Sequence, residues 1–159
     1  MLTHVSGFSP ASMTALMMLA GFGMVVGNLT SGRLSDRYSP GKVGASVQGL
    51  ICMILLLIFF LAPYPWCAAL LMAACTAGLF AVSSPEQVSI IRVATGGEMF
   101  GAACVQVAFN LGNAIGAYCG GKVLHWGYQY PALIGVPFAL VGFILLTRYY
   151  KKYESQYYS

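Results

Sequence analysis

The chain alternates long apolar runs with short breaks that are charged or rich in glycine and proline. Residues 5 to 32 and residues 43 to 85 contain no Lys, Arg, Asp or Glu. A membrane-spanning helix needs about 20 predominantly apolar residues, so the second stretch is long enough for more than one crossing. The breaks predict five helices, at about Pro10 to Gly32, Val43 to Leu61, Trp66 to Arg92, Met99 to Leu124 and Tyr130 to Tyr149.

Composition supports the same fold class. Hydrophobic residues make up 58% of the chain and charged residues only 8%, and the mean hydropathy is +0.76. Soluble domains have about a quarter charged residues, so the sequence predicts an all-α, polytopic membrane helix bundle that contacts the lipid bilayer. The net charge of +4 comes from basic residues scattered at span ends rather than from one basic face, which argues against nucleic-acid binding.

The basic residues predict how the bundle is oriented. Seven of the eight fall on one side of the predicted bundle, namely Arg33, Arg37, Lys42, Arg92, Arg148, Lys151 and Lys152, whereas Lys122 falls on the other. By the positive-inside rule the seven-residue side is cytoplasmic. An odd number of spans puts the termini on opposite sides, so we expect the N-terminus outside and the C-terminus in the cytoplasm.

An external N-terminus needs something to direct it. Met1 to Ser9 contains no cleavable apolar segment, and nothing ahead of it sets its orientation. The simplest expectation is that an upstream segment is missing. The alternative is a complete five-span protein with a short translocated N-terminus.

Two of the predicted spans carry small residues at every fourth position. The first contains Gly23 and Gly27 followed by Ser31, and the fourth contains Gly112, Gly116 and Gly120. Such rows let helix backbones approach closely in lipid, where little hydrophobic force drives association. They predict packing faces, either static or sliding during a conformational cycle.

Polar residues inside apolar spans are candidates for function. Gln106, Asn110 and Asn113 lie in the fourth span, and the last two share a helix face. They either bind a substrate in a central cavity or bond neighbouring helices. Glu86, beside Pro85, is the one acid inside a span; it either couples transport to protons or reaches the interface to pair with a basic residue.

Enzymatic and metal chemistry lack the residues they need. The cysteines show no C-x-x-C spacing and have no nearby histidine partners, and His4 and His125 are far apart in the sequence. No nucleophile, base and orienting group occur together. The sequence therefore predicts no enzyme activity, no metal site and no cofactor.

One short segment supports a family resemblance. Gly32-x-Leu34-x-Asp36-Arg37 lies between two predicted spans and is followed by Lys42. It resembles the cytoplasmic loop motif G-x-L-a-D-R-x-G-R-K of the major facilitator superfamily, although here the second basic residue is displaced to Lys42. The blocks Gly7-Phe8-Ser9 and Ala108 to Gly121 look similar to the drug:proton antiporter branch, especially its arabinose efflux permease-like members.

The resemblance implies a larger protein. Residues 1–159 would be the partial C-terminal six-helix bundle, helices eight to twelve, of a twelve-helix transporter, whose N-terminal bundle would be a missing partner. It implies proton-coupled efflux of sugars or drug-like small molecules across a bacterial inner membrane by alternating access. Asp36 and Arg37 would help to hold one conformational state. The alternative is a truncated, non-transporting membrane protein that packs against a partner chain.

Overall fold

The computed structural model describes residues 10–155, which form five long α-helices. They are α1 (Pro10–Arg37), α2 (Pro40–Leu61), α3 (Pro65–Val93), α4 (Glu98–Val123) and α5 (Tyr130–Tyr149). A 3₁₀ turn (Leu124–Trp126) follows α4, and a π-helical turn (Tyr150–Glu154) extends α5. All five helices are long and apolar enough to cross a membrane. The predicted all-α polytopic bundle is therefore confirmed. The block Gly7-Phe8-Ser9 lies outside the described residues.

Helices α2 and α3 form the centre of the bundle. The share of the apolar stretch that is buried is 39% in α2 and 33% in α3, against 6% in each of the other three helices. The core cluster joins α2, α3 and α5 through buried side chains, among them Ile51, Ile54, Ile58, Cys75, Val82 and Ala139. Helix α1 packs mainly on α3, and α5 packs mainly on α2. The outward faces of α1, α4 and α5 are left for lipid or for other protein.

Helix α1 is longer than the sequence predicted. We expected it to end at Gly32, but it continues to Arg37, and α2 begins at Pro40 rather than Val43. No residue between Gly32 and Arg37 breaks a helix, whereas Pro40 disfavours helical geometry at Ser39, which has ψ 125°. The motif is therefore helical, and the connection shrinks to two residues.

Glycine and proline explain the other connections. Helix α3 starts at Pro65, where a proline costs no hydrogen bond because the first N–H groups of a helix have no partner within it. Gly96, with φ +81°, makes the turn between α3 and α4. Pro85 is almost completely buried inside α3, which continues past it to Val93.

Candidate functional site

The family-like motif occupies the last two turns of α1 and the start of α2. Gly32, Leu34, Asp36 and Arg37 belong to α1, and Lys42 lies in the first turn of α2. Asp36, Arg37 and Lys42 are exposed. The structure thus brings the three charged side chains of the motif to one end of the bundle.

This end, which we call the basic end, is where α1, α3 and α5 finish and α2 and α4 begin. The start of α2 meets the end of α5, because a Cβ at Gly41 would lie 3.1 Å from Cδ1 of Tyr149. The start of α4 meets the end of α3 through Gly101 and Ile90, where the same construction gives 3.1 Å. Seven of the eight basic residues lie in these terminal turns or next to them, and Lys122 lies at the opposite end.

Small buried residues attach the motif helix to α3. The Ser31 hydroxyl donates a hydrogen bond to the carbonyl of Ala81, and a Cβ at Gly32 would meet Oγ of Ser84 at 3.2 Å. One turn later, Ser35 is 1% exposed, and its hydroxyl has no hydrogen-bond partner among the described residues. Sequence reasoning missed Ser35, although it continues the four-residue spacing of Gly23, Gly27 and Ser31.

The small-residue row of α1 lies against α3. A Cβ at Gly23 would touch Cβ of Ala77 at 3.4 Å and the carbonyl oxygen of Ala73 at 3.6 Å. At Gly27 the added Cβ would overlap the carbonyl oxygen of Ala77. The contacts advance together along both helices, so α1 and α3 run parallel. Glycine lets their backbones approach this closely.

The glycine row of α4 has a different environment. A Cβ at Gly112 or Gly116 would meet nothing within 4 Å in the part of the chain that the structure describes. Only the last member, Gly120, has a neighbour, with Cβ of Pro131 at 3.6 Å. Packing through Gly112 and Gly116 therefore stays a prediction, and its partner would have to come from outside residues 10–155.

The three polar residues of α4 are exposed. Gln106, Asn110 and Asn113 cluster on one face of the helix. Ala108 faces α3 and α5, and Gly112, four residues later, lies on the same side of α4. The glycine row therefore starts on a side of α4 that is next to the polar face. The amide groups are accessible to a ligand or to another helix.

A cavity of about 600 Å³ opens between α3, α4 and α5 near the basic end. Its wall is mostly apolar. The lining residues are Ser83, Glu86, Ser89, Ile90, Val93, Ala94, Val105, Ala108, Phe109, Leu146 and Tyr149. The cavity thus combines one carboxylate, three hydroxyl groups and a wall without any basic side chain.

Glu86 is the acid of this cavity. It is half-buried and lies seven residues before the end of α3, with Ser83 and Ser89 one turn away on either side. A carboxylate within a mostly apolar wall can bind and release a proton or attract a cationic ligand. Gln106, Asn110 and Asn113 do not line this cavity. The structure therefore keeps three candidate regions apart: the motif, the Glu86 cavity and the polar face of α4.

Sequence reasoning missed a cluster at the basic end. Glu154 is 6% exposed, and its Oε2 accepts hydrogen bonds from the Ser39 hydroxyl and from the backbone N–H of Gly41 at 2.7 Å. The last span was predicted to end at Tyr149, and Glu154 beyond it was given no role. A usable signal was Ser39-Pro40, which marks a helix start whose N–H groups need acceptors.

Within residues 10–155 no group of His, Cys, Asp and Glu is arranged to hold a metal ion. The five cysteines, which all fall in this range, are free thiols.

Comparison with known proteins gives consistent matches along the chain. The family model described as Major Facilitator Superfamily matches residues 1–157. The Escherichia coli K12 protein named "Putative transporter AraJ" is 44% identical over 154 residues, which are 96% of this chain and 39% of that protein. The E. coli K12 "Inner membrane transport protein YdhP" is 34% identical over 91% of this chain and 38% of its own length.

A more distant relative is the Bacillus subtilis "Uncharacterized MFS-type transporter YfhI", which is 32% identical over 92% of this chain and 37% of its own length. The chain thus spans about two-fifths of the length of these relatives. No solved structure matches it.

Proposed function

The chain belongs to the Major Facilitator Superfamily, and from this premise we propose that it forms part of a proton-coupled efflux transporter for sugars or drug-like small molecules. The transporter would work by alternating access in a bacterial inner membrane. The observation that carries the coupling proposal is the position of Glu86. Of the four acids in the sequence, Asp36, Glu98 and Glu154 lie at helix ends, and only Glu86 lies well inside a span, facing an apolar cavity.

We propose that the basic end faces the cytoplasm. The asymmetry of seven basic residues against one supports this orientation through the positive-inside rule. The N-terminal side of α1 then faces outward, and the end of α5 lies in the cytoplasm. Loops this short are the ones to which the rule applies.

Asp36 and Arg37 are proposed to hold one conformational state. Both are exposed near the end of a helix that Ser31 and Gly32 fix to α3. Charged groups presented in this way can form and break contacts with a moving bundle at low cost, because they stay hydrated in both states. That bundle would be the N-terminal half of the same transporter.

The exposed face of α4 is proposed as part of the substrate path. Gln106, Asn110 and Asn113 offer amide donors and acceptors at membrane depth, where polar groups face a bundle interior or a wet cavity. The neighbouring face at Gly112 and Gly116 is proposed to pack against the missing half. Substrate would then bind between the two halves.

Everted membrane vesicles containing the full gene product can test the proposal. After respiration establishes a proton gradient, sugars and cationic dyes are added one at a time, and proton movement is followed with a pH-sensitive dye. We expect a transported compound to dissipate part of the gradient. Glu86→Gln should abolish this response, because a neutral amide does not bind or release a proton. Glu98→Gln should preserve it.

Two results would contradict parts of the proposal. Coupled transport that survives Glu86→Gln unchanged would remove Glu86 from proton coupling. Absence of gradient-driven movement of every compound, with correctly inserted protein, would instead favour a non-transporting protein that packs against a partner chain.

A further inference from the structure

The first turn of α2 has donors that need acceptors. The first N–H groups of a helix lack partners within the helix. Pro40 has no N–H, and the N–H of Lys42 bonds to Oγ of Ser39 at 3.3 Å. The remaining N–H, that of Gly41, donates to Oε2 of Glu154 at 2.7 Å. Glu154, which lies near the end of the described residues, thus supplies the acceptor that the N–H of Gly41 needs.

Glu154 also satisfies the capping residue. The Ser39 hydroxyl accepts the hydrogen bond from Lys42 and donates its own proton to Oε2 of Glu154. Both Ser39 and Glu154 are more than nine-tenths buried. A buried carboxylate is costly unless it is hydrogen-bonded, and the positive partial charge at a helix N-terminus favours it further. The two hydrogen bonds and the helix N-terminus therefore stabilise the buried carboxylate at this position.

Close packing at Gly41 accompanies this hydrogen bond. A Cβ at Gly41 would lie 2.8 Å from Oε2 of Glu154 and 3.2 Å from Cβ of Tyr150. A larger residue at position 41 would have to displace the Glu154 carboxylate and press against Tyr149 and Tyr150. The backbone of α2 and the terminal turn of α5 are therefore in direct contact at this point.

The terminal turn is π-helical, and this sets the direction of Glu154. The N–H of Ser155 bonds to the carbonyl of Tyr150 five residues earlier, at 2.9 Å. A π turn takes up one residue more than an α turn, so it changes the face on which Glu154 lies. Lys151 and Lys152 stay exposed while Glu154 is buried against α2.

The contact follows the charged pair of the motif directly in the chain. Ser39 is two residues after Arg37, and Ser35, just before the pair, is buried. Asp36 and Arg37 therefore project from a short segment that is held at both ends. One of these two fixed points depends on Glu154.

We infer that Glu154 is a positioning residue, whose carboxylate anchors the end of α5 on the first turn of α2 and thereby holds Asp36 and Arg37 in the orientation that the transport cycle requires. The statement about transport rests on the proposed function, whereas the anchor itself does not. We refer to the contact of Glu154 with Ser39 and Gly41 as the Glu154 anchor.

Limited proteolysis of the full gene product in everted vesicles tests the anchor. An epitope tag without Lys or Arg is inserted directly after Ser159, and its release by trypsin reports cleavage near Lys151 and Lys152. Cleavage needs local unfolding of the terminal turn. We expect Glu154→Gln to accelerate tag loss roughly tenfold, because a neutral amide forms weaker hydrogen bonds with both donors.

Matched variants separate the anchor from general effects. Glu98→Gln removes an exposed carboxylate at the same end and should cleave like the wild type. Gly41→Ala should accelerate cleavage, whereas Gly21→Ala should not, since a Cβ at Gly21 would meet nothing within 4 Å. Ser39→Ala adds no atoms and provides a further variant that should accelerate cleavage.

Transport kinetics test the positioning role. With equal amounts of inserted protein, Glu154→Gln should lower the maximal transport rate several-fold and leave KM unchanged, because Glu154 lies outside the proposed substrate path. Unchanged tag loss in Glu154→Gln would overturn the anchor. Faster tag loss with an unchanged maximal rate would overturn the positioning role. If even the wild type transports nothing, the proposed function fails, and tag loss alone still decides whether the anchor exists.

Discussion

Gly27 of α1 lies so close to Ala77 of α3 that a Cβ at position 27 would overlap the Ala77 carbonyl oxygen. The obstruction is backbone, which cannot rotate away as a side chain can. This contact lies in the most extensive helix–helix interface among the described residues, between two helices that run parallel. The α1–α3 interface therefore depends on glycine at this position.

We expect Gly27→Ala to destabilise the protein by about 1 to 3 kcal/mol, the usual cost of overpacking a close contact. Thermal stability in detergent, followed by size-exclusion chromatography, measures the effect. Gly21→Ala on the same helix provides the control, since its added methyl group meets open space. Equal melting temperatures for the two variants would contradict the α1–α3 packing.

Gly116→Leu, in contrast to Gly27→Ala, should not destabilise the five helices. Position 116 has no neighbour within 4 Å among the described residues, so the stability of the contacts among these five helices should stay unchanged. If the α4 row packs against the proposed N-terminal half of the transporter, the same variant should reduce transport by the full gene product. Normal transport together with normal stability would place this face toward lipid.

Asp36→Asn should impair transport and leave membrane insertion intact. Asp36 is exposed, so its replacement disturbs little packing. An exposed charged contact that holds one state contributes about 0.2 to 1 kcal/mol, and we expect a rate lower by up to about fivefold. Initial rates in vesicles measure the change, with Glu98→Gln as the control. Wild-type rates in Asp36→Asn would remove the proposed role of the motif.

Asn110→Ala should raise KM without altering stability. The side chain is exposed on α4, and one hydrogen bond to substrate contributes about 0.5 to 1.5 kcal/mol, so KM should rise about two- to twelvefold. Cys104→Ala, also exposed on α4, should leave KM unchanged. A loss of thermal stability with an unchanged KM would instead indicate that Asn110 bonds another helix.

Local patterns predicted some elements more accurately than others. The end of α2 at Leu61 and both ends of α5 agree with the prediction, because prolines and interfacial aromatic residues mark these breaks. The end of α1 was predicted five residues too early, because charged residues were taken as the end of the helix. Charge ends a membrane span, but it does not end a helix, and α1 continues until Pro40 prevents it.

The sequence by itself determined the fold class, the number of spans and the family, because an apolar run of about 20 residues has few alternatives in lipid and the motif is a local pattern. Only the tertiary structure decided which faces meet. Glu154 bonds Ser39 across 115 positions of the chain, and Gly27 meets Ala77 across 50. Such contacts depend on the packing of whole helices, which local periodicity does not record. For the same reason, the sequence identified Glu86 but only the packing of α3, α4 and α5 placed it in a cavity.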